Sequence, residues 1–152
     1  MKSLPLLGAA LLLLTGSVSA AAQDAGYWRA ASSEAKAITG DIVISGLRLT
    51  INFSNFTIAE IRALNHTEAS AAFDADPSAP GYGNLYRLDI PASKKFEHHN
   101  TICGSDDTQW MVTWNSGNDL HVAFFSGANM PTLTMDALAN SSTLCGNFTY
   151  QR

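Results

Sequence analysis

The chain has 152 residues, 46% of them hydrophobic and 14% charged, with a formal net charge of −4. That length supports one domain with a sizeable core. The acidic balance argues against nucleic acid, because holding phosphates takes clustered Lys and Arg, and the only adjacent basic pair is Lys94-Lys95.

The first twenty residues follow the plan of a secretory leader: Lys2, an apolar stretch from Leu6 to Leu14, and the small-residue site Val18-Ser19-Ala20. Cleavage is expected after Ala20 or Ala22, which leaves residues 21–152 as a single domain. The apolar stretch is too short to span a bilayer and no later segment is longer, so no membrane span is expected. No cysteine stands near the cleavage point to take a lipid. The expected location is therefore the periplasm or the extracellular medium.

Beyond the leader, apolar residues fall on every second position, the period of a strand with one buried face. Ile42 and Ile44 lead into a Ser45-Gly46 turn, and Leu47, Leu49, Ile51 and Phe53 alternate with polar residues up to a turn at Ser54-Asn55. Residues 56–63 are read as a strand with a bulge. The competing pattern is a capping box at Thr57 to Glu60 opening a helix that continues through the Ala-rich stretch to Phe73. Asp74 to Gly83 reads as an exposed loop. Tyr86, Leu88 and Ile90 form the next strand and stop at Pro91; Trp110, Val112 and Trp114 form another, followed by the turn Asn115-Ser116-Gly117-Asn118. Leu120, Val122 and Phe124 follow, then a short helix near 132–139, then Phe148 and Tyr150. Many short strands joined by Gly, Asn, Ser and Pro turns predict an all-β antiparallel fold, a barrel or a sandwich, with the barrel favoured.

Cys103 and Cys145 are the only cysteines, and in an exported chain they are expected to pair. Closing a loop of about 43 residues contributes about 4 kcal/mol in the chain-entropy account.

Catalytic signatures such as G-x-S-x-G, H-E-x-x-H, a P-loop and G-x-G-x-x-G are absent from the sequence. The strongest chemical cluster is Glu97-His98-His99 with Asp106-Asp107, which holds metal-capable side chains on either side of Cys103. Adjacent histidines on a strand point to opposite faces, so His98, His99, Asp106 and Asp107 reach one ion only across a turn within 100–108. Trp110, Trp114 and Phe124 are the candidate lining of a ligand cavity, with plain core filling as the competing reading. His121 is expected to be exposed. Five N-x-S/T sequons begin at Asn52, Asn55, Asn65, Asn140 and Asn147.

Gly26-Tyr27-Trp28 near the mature N-terminus and Arg152 at the C-terminus give the chain a resemblance to the lipocalin and calycin group. That group opens its first strand with G-x-W and packs a basic residue from near the last strand over the tryptophan. The resemblance implies an up-and-down barrel of about eight strands closed around Gly26, Trp28 and Arg152, and a binding function rather than an enzyme; no cofactor is expected. Small exported barrels that inhibit lysozymes or proteases are similar in size and disulfide use.

The expected function is thus a noncatalytic exported binding module, holding a small apolar ligand inside the barrel or a protein partner at its loops. Two alternatives stand beside it: a small metal-dependent enzyme built on His98, His99, Asp106 and Asp107, and a structural component of the cell envelope.

Overall fold

The structure, a computed structural model, describes residues 23–152, so the expected leader lies outside the described residues. In chain order the elements are β1 (Gly26–Ala30), α1 (Ser33–Ile38), β2 (Ile42–Ser45), β3 (Arg48–Ile51), β4 (Ser54–Thr57), β5 (Ala59–Ala63), α2 (His66–Phe73) and β6 (Asn84–Ile90). A 3-10 turn (Glu97–His99) follows, then β7 (Thr108–Ser116), β8 (Asp119–Ser126), α3 (Met135–Ala139) and β9 (Leu144–Gln151). All pairings are antiparallel, in the order β4-β3-β2-β1-β9-β8-β7-β6-β5. The first and last strands pair at Arg29 with Gln151 and Ala30 with Tyr150, so the sheet curls into a nearly closed barrel. Its seam lies between β4 and β5, where Ile58, buried, donates its N–H to the Leu47 carbonyl at 2.9 Å.

Nine strands stand where about eight were expected, because the 54–63 stretch breaks at Ile58 into two strands. The register of β5 on β6 shifts between Glu60 and Arg62, the bulge that residues 56–63 suggested. The helix begins later than the Thr57 capping box would place it. Asn65 is its N-cap: its side chain accepts from the Glu68 N–H at 2.9 Å, and Glu68 accepts from the Asn65 N–H at 3.1 Å. Glu68 also takes a two-pronged contact from Arg62 at 2.7 and 2.8 Å, tying α2 to β5. Helix α1 has no counterpart in the strand pattern. Ser32 caps it by accepting from the Ala35 N–H, and the same hydroxyl accepts from Thr149 on β9.

The sequence read β3 as running from Leu47 to Phe53, but its ends are turns. Gly46 takes φ +58° and Leu47 is 68% exposed; Asn52 and Phe53 take φ +45° and +63°, and Phe53 is 96% exposed. Ile51 pairs with Ser54, so Asn52-Phe53 is a two-residue hairpin turn. Alternation alone cannot distinguish a strand that continues from one that turns back.

Two hydrophobic clusters sit on opposite faces of the sheet. The interior cluster contains Trp28, Ile42, Ile44, Leu49, Ile51, Ile58, Tyr86, Leu88, Ile90, Met111, Leu120, Val122, Phe124, Phe148 and Tyr150. The outer cluster joins Leu85, Trp110, Val112, Ala123 and Phe125 to Leu133, with Leu64, Phe73, Leu138 and Leu144 packed around it. Strand β7 is therefore buried on both faces. Phe96, Ile102 and Ala35 of α1 pack into the interior cluster at the end of the barrel where β2 begins. The Cys103–Cys145 disulfide, with Cα atoms 5.0 Å apart, fastens that end to β9. A disulfide fits an oxidising compartment. Among the described residues no helix is long and apolar enough to cross a membrane.

Candidate functional site

Register decides which side chains meet on the outer face of β1 to β4. Tyr27 pairs with Val43, Val43 with Thr50, and Thr50 with Asn55, so one cross-strand row points away from the core. Thr50 donates to the Asn55 side-chain oxygen at 2.7 Å. Where this row meets the Asn52-Phe53 turn, Thr39 to Asp41 and Glu97, an open groove of about 560 Å³ forms. Tyr27, 56% exposed, and Phe53 supply aromatic surface, while Val43 and Thr50 belong to its wall.

The charges in that groove are acidic. Tyr27 donates its hydroxyl to Asp41, whose other oxygen accepts from the Ala30 N–H at 2.9 Å. These bonds favour the ionised carboxylate and hold Asp41 below the usual carboxylate range, and the same contact raises the Tyr27 hydroxyl above its ordinary value. Glu97 is half-buried against Gly40, where an added Cβ would come within 3.2 Å of the Glu97 Cγ. Gly40 takes φ +61° and ends α1, so the glycine both stops the helix and lets Glu97 close in. Among the described residues the one ion pair is Arg62–Glu68, which leaves Glu97 without a cationic partner. Arg29 shares this outer face and adds to the lowering at Asp41.

A second polar centre closes the opposite end of the barrel. Asp24 is fully buried, and one of its carboxylate oxygens accepts from Thr113 at 2.6 Å, Tyr86 at 2.9 Å and Asn84 at 3.1 Å. Among the described residues, its other oxygen and the Asn84 side-chain oxygen have no hydrogen-bond partner. Burial is the main cause that raises the Asp24 pKa above the ordinary carboxylate value, against those three bonds. Burial raises Tyr86 likewise, and the nearby Asp24 adds to the rise. The backbone around Asp24 is clamped too: Trp28 donates its indole N–H to the Asp24 carbonyl at 2.8 Å, and Asn115 donates to the Gln23 carbonyl at 2.8 Å.

The residues singled out from sequence divide in this frame. Gly26, Trp28 and Arg152 come together: the Arg152 guanidinium lies 4.2 Å over the Trp28 ring, reaches the Gln23 and Ala25 carbonyls, and would stand 3.5 Å from a Cβ at Gly26. Trp110, Trp114 and Phe124 do not share a space. Met111 pairs with Phe124 and Trp110 with Phe125, which sends Phe124 into the barrel and both tryptophans outside it. Trp114 is then covered by His66, edge-on at 5.2 Å, and by the 81–83 backbone, where a Cβ on Gly83 would fall 2.0 Å from the Thr113 carbonyl. These three side chains are packing, not a common lining.

The metal reading is likewise corrected. His98 and His99 are exposed at φ +53° and +63°, Asp107 accepts from the Ala92 N–H at 2.7 Å, and no group of three or more metal-capable side chains exists among the described residues. The positive-φ turn leaves both histidines at the surface and Asp107 is taken up by the Ala92 N–H, so the four side chains form no common group. His121 is half-buried rather than exposed, 5.8 Å from the Phe73 ring, and burial lowers its pKa.

Tyr27, Asp41 and Asp24 carry no signal in strand periodicity, and Phe53 carries a misleading one, since it falls on the apolar alternation yet is exposed. The available clue to Phe53 was its neighbour, since Asn is favoured in the left-handed positions of a hairpin turn. No protein-family model, curated protein or solved structure matches the chain.

Proposed function

We propose that this chain is a noncatalytic, lipocalin-like exported binding module that engages a protein partner on its outer surface. The observation carrying this reading is the contrast between a filled interior and a bare groove. Trp28, Tyr86, Phe124, Phe148 and Tyr150 occupy the inside, Asp24 closes one end, and α1 with Phe96 and Ile102 closes the other. An apolar ligand entering there would have to displace packed side chains, each worth roughly 1.5–3 kcal/mol of burial. Outside, Phe53 and Tyr27 expose aromatic surface of the kind enriched at binding interfaces.

The test places a photo-crosslinking amino acid at Phe53 and, as control, at Leu47 in extracts of the native source. Capture of a protein from Phe53 and not from Leu47, together with no bound lipid after solvent extraction of the purified chain, is the expected result. Stoichiometric uptake of an apolar fluorescent probe with quenching of tryptophan emission would place the ligand inside and overturn the reading.

A further inference from the structure

We infer that the Tyr27–Phe53–Glu97 groove receives a lysine or arginine side chain presented by the protein partner. This deepens the surface-binding reading and rests on it. Among the described residues, the only charged side chains lining the groove are Asp41 and Glu97, both acidic. Asp41 already has both oxygens engaged, so it supplies negative potential rather than a contact. Glu97 has no side-chain hydrogen bond and no ion pair among the described residues, and it is half-buried, where a carboxylate is less screened than at a fully wet surface.

The rest of the wall suits the rest of such a side chain. Val43 and Thr50 offer a methyl-rich surface to its aliphatic stem, and the Tyr27 and Phe53 rings offer faces on which a cation is attracted. An anionic ligand would meet two carboxylates. A purely apolar one would further desolvate Glu97 without pairing it, which is costly. Arg29, on the same face, offsets part of the field at Asp41 but pairs with neither acid among the described residues.

Phe53 adds exposed aromatic surface at the rim of the groove. A bulky side chain at φ +63° is strained, yet it stands 96% exposed at the hairpin tip and repays nothing through packing. Contact with a partner would give that ring a use.

The experiment is an NMR titration of the exported chain with a tetra-arginine peptide, with tetra-glutamate as control. Expected are amide shifts grouped at Tyr27, Val43, Thr50, Phe53 and Glu97, affinity that falls with added salt, and about tenfold weaker binding in Glu97→Gln, which keeps the packing on Gly40 but loses the charge. Shifts centred elsewhere, equal affinity for tetra-glutamate, or unchanged binding in Glu97→Gln would overturn the inference. If the peptide bypasses the groove while crosslinks from Phe53 persist, the cation preference falls and surface binding stands; loss of both removes both.

Discussion

The outer face of this barrel has two halves with opposite fates. Over β6 to β9, the helix α2 and the segment around Leu133 lay a second core on Leu85, Trp110, Val112, Ala123 and Phe125. Over β1 to β4, the equivalent cross-strand row of Tyr27, Val43, Thr50 and Asn55 has no such cover among the described residues. The difference originates in connection length. The strands β1 to β4 follow each other through α1 and two tight turns, whereas β5–β6 and β8–β9 are joined by long segments that fold back onto the sheet. One half is covered by a second core and the other is left bare among the described residues.

The largest effect that would break this division is a core truncation on the covered side. Trp110→Ala is expected to destabilise the fold by about 3–5 kcal/mol, since the ring is nearly buried and its indole N–H donates to the Gly127 carbonyl at 3.0 Å. Tyr27→Ala, on the bare half, should stay near the range of surface substitutions, about 0.5 kcal/mol. Urea titrations of the two variants decide it, and equal losses would dissolve the comparison.

Asp24 sharpens the contrast between a buried and an open carboxylate. Because its folded pKa is raised, the folded state binds the proton more tightly than the unfolded chain. Stability is then fullest below the unfolded carboxylate value and declines as pH rises through the folded one. Asp24→Asn removes that decline, because a neutral amide replaces the buried carboxylate while its oxygen still accepts from Thr113, Tyr86 and Asn84. The variant should gain about 1 kcal/mol at pH 8 and show a flatter dependence of melting temperature on pH between 4 and 8. A variant less stable than the parent at pH 8 would show that the ionised form is the one the cage prefers.

The smallest effect lies at the hairpin tip. Phe53→Gly relieves a left-handed backbone at an exposed residue and should stabilise the fold by about 0.5 kcal/mol in the same urea titration. It should weaken tetra-arginine binding in parallel, so stability and binding would move in opposite directions. Stability lost on the change would mean that the ring is packed after all.

Much of the barrel was legible because period-two alternation records burial of one face. The strands around Ile42, Leu49, Leu88, Val122 and Tyr150 put those residues inside. Trp110, Val112 and Trp114 gave the same signal for a different reason, since their face is covered from outside; periodicity shows that a face is buried without showing by what. The candidate site was nearly invisible. Tyr27 is marked only by its place in a G-x-W motif, Phe53 falls on a periodic position that reads as core, and Glu97 stands beside two histidines with which it forms no metal-capable group.

Local chemistry in the sequence was enough to establish an antiparallel β architecture, its turns at Gly46 and Gly117, and the single cysteine pairing, because each depends on neighbours in the chain or on there being no alternative partner. Tertiary structure alone decided that Trp110 and Phe124 lie on opposite sides of the sheet, that Asp24 seals one end, and that Tyr27, Phe53 and Glu97 share a groove. Those outcomes depend on register and closure, which bring together residues far apart in sequence, and no local pattern records them.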